Sequence, residues 1–423
     1  MNNIKKHIKT AVNENRDLII SFVKKIVRTP SLANDEGNVQ RIIHEKLNNL
    51  NLNSKIIPVI FSELENHPAF NDDGFSPESR INVTAIWKGR SNSKSLILNG
   101  HVDVVPTGPE NLWNDSPWSG KEIDGKIYGR GSCDMKAGLS SGLFAIAILK
   151  DLGFKPNGDI IFQSVVGEES GGCGTLTNIV KGYTADAAII LEPTSLKLSP
   201  IQSGALTFRL IVHGKATHAS MRWDGVSAIE KYADIHYAII DFEKQRHEFF
   251  NTKHYKSKHR VAPINIGTIK AGQWHSTVAE SVVAEGRLGV FPNESNKDAM
   301  KSFEDYVFNF AKNDPWLTNN PPEIEWFEGQ FESGQTPLDD PIVKELGNIY
   351  KEICDRDPVI EGVTYGSDLR LFTNHADIPS VLFGPGDVRL AHAANEYVDI
   401  EEIMFSTEII ANMIVNWCGG RFE

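Results

Sequence analysis

Three apolar runs, 96–98, 160–166 and 187–191, each stop just short of an imidazole or a carboxylate: His101, the pair Glu168 and Glu169, and Glu192. Between the first two lies MKAGLSSGLFAIAILKDLG, whose apolar residues recur at helical spacing. Short β-rich runs alternating with longer helical patterns describe an α/β fold, a parallel or mixed sheet covered by helices. Ligands of open α/β sheets collect at the carboxyl ends of the strands. Residues about ninety positions apart in the chain can therefore meet.

After Pro200 the pattern changes. ALTFRLIVHG, a helix near 226–242, APINIGTIKAG, ESVVAEGRLGVF, a helix near 296–311 and PEIEWFEG read as strand, helix, strand, strand, helix, strand. This is a self-contained α+β unit of the split βαβ type. A further apolar strand, SVLFGPG, precedes His392, so the first sheet resumes after about Gln330 and the smaller unit is an insertion. The expected organisation is 1–201 and 331–423 for one domain and 202–330 for the other, with the site in the cleft beside the insertion. At 423 residues the chain is too long for one ordinary core. The basic run NTKHYKSKHR at 251–260 is expected to be a solvated loop.

Forty-three Lys and Arg against 55 Asp and Glu leave a net charge of −12, which argues against nucleic acid and anionic membranes as partners. Cys133, Cys173, Cys354 and Cys418 show no Cys-x-x-Cys spacing, and suit a reducing compartment better than a disulfide framework. The first 27 residues mix apolar positions at helical spacing with charges, without the unbroken apolar stretch of a signal peptide or membrane span. They are expected to form a surface helix of a cytoplasmic protein.

His101 and Asp103 are two apart, and in an extended segment such side chains share a face. One can ligate a metal while the other accepts the second imidazole N–H. Alone, the pair more often describes a buried histidine satisfied by an acid, and it is the other segments that raise the metal reading. Asp134 follows the Gly-rich turn of GRGSCDMKAG, where it could cap a helix or bridge two cations. Glu168 and Glu169 at a strand end point in opposite directions, so one can face metal and the other a water whose proton it takes. With Glu192 and His392 these segments supply imidazoles and carboxylates, the donors of a zinc, cobalt or manganese site and not of an iron–sulfur centre.

In LNGHVDVVP, GRGSCDMKAG, VVGEESGG, LEPT and LAHAANEYV, taken in this order, the chain resembles the M20 metallopeptidase family, which includes acetylornithine deacetylase, succinyl-diaminopimelate desuccinylase, aminoacylase and glutamate carboxypeptidase. The resemblance implies a zinc-peptidase-like catalytic domain with a mixed sheet flanked by helices, and an inserted ferredoxin-like lid that often forms a homodimer interface. It implies two divalent ions, zinc with cobalt or manganese as substitutes. His101, Asp134 and Glu192 would hold one ion, and His392, Asp134 and Glu169 the other. Asp103 would orient His101, Glu168 would be the general base, and a cis peptide would join Asp134 to Met135. His218 in GKATHAS matches a histidine that polarises the scissile carbonyl, in relatives often from a second subunit. Asn265, Arg287 and Arg370 match positions that hold a substrate carboxylate, a task the planar arginine fork suits.

Two positions depart from the family pattern. Ala137 stands for glycine in DMKAG, and Ala279 stands for proline in GQWHSTVAE, the segment nearest the acetylornithine deacetylase branch. The expected activity is hydrolysis of an N-acyl bond on an amino acid or related small amine. A dipeptidase or carboxypeptidase of the same family is the first alternative, and a non-catalytic metal-dependent binding protein the second.

Overall fold

A computed structural model describes residues 2–250 and 254–423, and they form two compact units. The first runs to Pro200 and resumes over Gln335–Glu361 and Ser367–Glu423; the second is Ile201–Gly334 with Gly362–Gly366. The second unit begins where the apolar pattern changes, and a short piece beyond residue 330 belongs to it.

In the first unit, β1 (Lys55–Pro58), β2 (Ile81–Trp87), β3 (Leu96–His101), β4 (Ile160–Val165) and β5 (Ala188–Ile190) form a sheet in the order β1–β2–β4–β3–β5, with Ser380–Leu382 at the far edge. β1, β2 and β4 pair antiparallel; β4, β3, β5 and Ser380–Leu382 pair parallel. This mixed sheet flanked by helices is the expected α/β architecture. Register places His101 beside Val165 and Asn99 beside Ile190, so the carboxyl ends of β3, β4 and β5 align on one edge. All six residues of β3 and of β4 are buried, which is why these strands read as continuous apolar runs without alternation.

The N-terminal segment forms two helices, α1 (Asn2–Glu14) and α2 (Arg16–Val27), broken at Asn15. α3 (Ala137–Asp151) is buried from Ala137 to Leu149 and packs against the C-terminal helix Ile400–Cys418, itself largely buried. The stretch Ser132–Asp151 is long and apolar enough to cross a membrane by composition, but 94% of its apolar window lies inside the protein. Its apolarity therefore serves the core.

Gly138 sits where α3 passes the end of β5, and a Cβ there would stand 1.9 Å from the Leu191 carbonyl oxygen, one residue before Glu192. Backbone on both sides prevents relief by a side-chain rotation. Gly138→Ala is expected to cost about 1–3 kcal/mol, as overpacked cores do, read as a lower midpoint in thermal unfolding. Gly37→Ala, where a Cβ would meet only the Arg41 guanidinium at 3.9 Å, tests the alternative that any glycine loss does the same.

The second unit is a four-stranded antiparallel sheet with helices on one face. β6 (Gly204–His213), α4 (Ala228–Phe249), β7 (Ile264–Ala271), β8 (Ser281–Val290), α5 (Asn296–Ala311) and β9 (Glu323–Phe331) follow in the expected split βαβ order, with sheet order β7–β8–β6–β9. Leu206, Phe208, Leu210 and Val212 of β6 alternate inward against Tyr232, Ile235 and Ile239 of α4 and Phe303 and Val307 of α5. Ser227 and Ser295 cap the two helices by accepting from the amides of Glu230 and Asp298.

α4 runs seven residues past the expected end at 242. Its last turns are anchored by His247, which is buried and accepts the Ala262 amide at 3.2 Å. That long-range contact has no periodic signature. Of the basic run, residues 251–253 lie outside the described residues. Of the remainder, Lys256, Lys258, His259 and Arg260 are exposed as expected, while the hydroxyl of half-buried Tyr255 meets Ser203 Oγ and the Val363 carbonyl.

Candidate metal centre

The aligned strand ends bring His101, Glu168, Glu169 and Glu192 together, and two further segments add Asp134 and His392. His101 Nε2 lies 3.2 Å from Asp134 Oδ1, 3.8 Å from Glu192 Oε1 and 3.8 Å from Glu168 Oε2. His392 Nε2 lies 3.2 Å from Glu169 Oε2 and 3.6 Å from Asp134 Oδ2. The two oxygens of Asp134 thus face two different imidazoles. Among the described residues, two sets of potential ligand atoms each lie within 4.8 Å of one another: His101, Asp134 and Glu169, and His101, Glu168 and Glu192. These sets cut across the expected partition, because Glu169 also reaches the His101 side and Glu168 stands beside Glu192.

Asp134 does not cap α3. It sits with φ −115° and ψ 98° in a wide turn over Ser132–Lys136, joined to Met135 by a cis peptide, and the helix proper begins at Ala137. Its amide and that of Cys133 both donate to Glu396 Oε1, at 3.2 and 2.9 Å. Glu396 Oε2 accepts from Arg130 at 2.6 Å, and Arg130 also donates to the carbonyls of Ala393 and Pro106. This buried pair ties the Asp134 turn to the segment carrying His392. Sequence reasoning missed it, although Glu396 lies in the same LAHAANEYV segment as His392.

Asp103 is fully buried beside His101, but its main bond to the ring is through the backbone. His101 Nδ1 donates to the Asp103 carbonyl oxygen at 2.9 Å, while the nearer carboxylate oxygen is 3.7 Å away. The other carboxylate oxygen takes the Glu169 amide at 3.0 Å. The residue therefore fixes the ring's orientation, leaving Nε2 toward the centre, and also holds the turn bearing Glu169.

Burial raises the carboxyl pKa values of Glu168, Glu192 and Glu169, and neighbouring carboxylates add to the shift. Burial disfavours a charged His101, yet the carboxylates of Asp134, Asp103, Glu168 and Glu192 outweigh it and hold its pKa well above the usual range. The same balance pushes His392 up to about 9, with Glu169 the chief opposing partner. So many acids around two imidazoles hold protons that cations would replace. The donors are all imidazole nitrogen or carboxylate oxygen, and Glu168 Oε1 and Asp103 Oδ1 are buried without hydrogen-bond partners among the described residues. Cys133, beside Asp134, is buried with its thiol on the Asp387 carbonyl and a raised pKa, so it stays protonated. This set fits borderline divalent ions such as zinc, cobalt or manganese.

The remaining expected site residues are placed differently. His218, Asn265 and Arg287 belong to the second unit, where Asn265 on β7 and Arg287 on β8 are directly paired across the sheet. Arg287 donates to the Thr364 carbonyl at 3.2 Å. Arg370 is fully buried, and its Nη2 donates to the Gly171 carbonyl at 2.8 Å.

The model of peptidase family M20/M25/M40 matches residues 97–416. An N-formyl-4-amino-5-aminomethyl-2-methylpyrimidine deformylase of Bacillus subtilis is 31% identical over 81% of this chain and 84% of its own. Among solved structures, a di-peptidase of Saccharomyces cerevisiae superposes with a TM-score of 0.79 at 14% identity, over 99% of each chain. A dinuclear metal-binding M20 peptidase of Bacillus subtilis superposes with a TM-score of 0.63 at 15% identity, over 96% of this chain and 99% of the other. The family match spans all the segments that build the centre, and the chain belongs to peptidase family M20/M25/M40 as a hydrolase of amide or peptide bonds.

Proposed function

We propose that this chain removes an N-acyl group from an amino acid or related small amine, in the manner of an acetylornithine deacetylase. His101, Asp134 and Glu192 would hold one divalent ion and His392, Asp134 and Glu169 the other, with zinc the ion proposed. The observation that supports this most is the division of Asp134 between two imidazoles beside a buried Glu168 whose Oε1 has no partner. When bound, the ions acidify a water and polarise the acyl carbonyl. Glu168 takes the proton of the attacking water as the C–O bond forms, and returns it to the amine nitrogen as the C–N bond breaks. Asp134 keeps one oxygen on each side, and Asp103 keeps His101 oriented.

His218 completes this reading as donor to the developing oxyanion, from the same chain or a second copy. Its Nδ1 accepts the Ser220 amide at 3.2 Å, so the neutral ring carries its proton on Nε2. The residue is exposed, which leaves that donor accessible. His218→Ala is expected to lower kcat about a hundredfold with KM little changed, because an oxyanion donor contributes about 3–4 kcal/mol. An unaltered kcat would remove it from the scheme.

A second reading has a specific observation behind it. Arg370 is engaged inside the protein, and the 31%-identical relative is named for an amine that is not an amino acid. The substrate's amine side would then lack a carboxylate, with Asn265 and Arg287 contacting it otherwise. A homodimer and a cytoplasmic address belong to the proposal as well. Tyr237 and Ile240 of α4 and Ile269 on the edge strand β7 are exposed apolar residues suited to a second copy, and the four cysteines are free thiols.

Amine release by zinc-loaded protein tests the proposal on N-acetylornithine, N-succinyl-diaminopimelate, other N-acyl amino acids, N-formyl aminomethylpyrimidine and unblocked dipeptides. Cleavage of acylated amino acids supports the deacylase. Cleavage of the formyl pyrimidine alone favours the second reading, and cleavage of dipeptides moves the chain to the peptidases.

A further inference from the structure

Between the short helix Phe61–Leu64 and β2 the chain makes no regular structure, yet two of its charged side chains are almost completely buried. Arg80 is 0% exposed and Asp73 6%, and Arg80 Nη1 donates to Asp73 Oδ2 at 2.6 Å. Glu36 lies on the other side of the guanidinium, 3.6 Å from Nε. Taking such charges out of water is costly and is repaid only where the pair's geometry is good and further hydrogen bonds satisfy it. What the pair touches is the turn that carries both glutamates of the centre.

Ser170 Oγ donates to Asp73 Oδ2 at 2.5 Å and stands 3.5 Å from Arg80 Nη2. Gly167, at φ +70°, has the guanidinium directly against its backbone; a Cβ there would be 2.1 Å from Arg80 Nη2. The brace therefore grips residues 167 and 170, the two positions that bracket Glu168 and Glu169. Inside the turn the amides of Glu169, Gly171 and Gly172 are taken by Asp103 Oδ2, the Glu168 carbonyl and the Gly167 carbonyl. None of these bonds uses a Glu168 or Glu169 carboxylate.

We propose that Asp73, Arg80 and Ser170 are positioning residues that hold the 167–172 turn in the one arrangement presenting Glu168 and Glu169 to the centre with their carboxylates uncommitted to the turn itself. The proposal rests on the roles given to Glu168 and Glu169 above. It extends the centre to a segment, 66–80, that contributes no ligand or base.

The test compares Asp73→Asn, Ser170→Ala and Ser170→Thr in the zinc-loaded full chain, with Glu168→Gln alongside. Loss of the Asp73 charge or the Ser170 hydroxyl is expected to lower kcat about ten- to hundredfold with KM within about twofold, and to weaken zinc affinity in chelator competition, as losses behind a metal ligand do. Hydrogen exchange at the Glu169 and Gly171 amides is expected to speed up about tenfold, and Ser170→Thr, which keeps the hydroxyl, to restore kcat within about threefold of the parent. A kcat within about twofold of the parent in both Asp73→Asn and Ser170→Ala, even with a lower unfolding midpoint, would overturn the proposal, as would an effect confined to KM. If Asp73→Asn does not fold, Ser170→Ala decides, since Ser170 is only part-buried. Turnover surviving in Glu168→Gln would instead reject the base assignment, and amide exchange in the turn then still judges the brace.

Discussion

Glu168→Ala is expected to abolish nearly all turnover while both divalent ions stay bound. A positioned general base contributes about 10²–10⁴-fold, and in the proposed mechanism one residue would both take the proton from water and deliver it to the amine, so the upper part of that range is expected. Its carboxylate is buried, with Oε2 3.8 Å from His101 Nε2 and Oε1 unpartnered, placed to reach a water without being held by the protein. Steady-state kinetics with metal analysis of the same sample checks this. Substantial residual turnover would reject the base, and loss of an ion would make Glu168 a ligand with His101 and Glu192, a set the geometry also brings within reach.

Asp134→Asn is the second large effect, and its signature is the reverse. Asp134 has its two oxygens divided between His101, at 3.2 Å, and His392, at 3.6 Å. An asparagine keeps the shape and the backbone bonds to Glu396, but replaces one anionic oxygen with an amide nitrogen that cannot ligate. Both ions are expected to bind more weakly, by about 10–100-fold or more, and turnover to fall with them. Metal content after dialysis and kcat at saturating zinc separate weakened binding from lost chemistry. Retention of both ions at parental affinity would mean that the centre does not share this carboxylate.

The expected roles divide by how local their causes are. His101, Glu168, Glu169 and Glu192 stand at the ends of runs that are apolar because both faces of β3, β4 and β5 are buried, and that pattern is written in consecutive residues. The split βαβ order of the second unit is legible for a similar reason. Inward alternation on β6 and serine caps before α4 and α5 act within a few residues. The end of α4 was not legible, because His247 extends it through contacts with Ala262 and Phe291.

Arg370 shows what a motif position leaves open. In sequence it is an arginine after Ser367 and Asp368; in the fold it is buried, and its Nη2 donates to the Gly171 carbonyl. Arg80 and Asp73 show the converse, charged residues in an irregular segment that carry no periodicity and become significant only because they meet Gly167 and Ser170. Glu396 does the same for Asp134. Residue types, their order and the strands that end on them follow from short-range patterning of apolar and polar side chains, and the amino-acid chain alone establishes these. Which oxygen faces which imidazole, and which buried charges brace the turns, depend on packing between segments some 70 to 260 positions apart, and only the folded structure settles such long-range geometry.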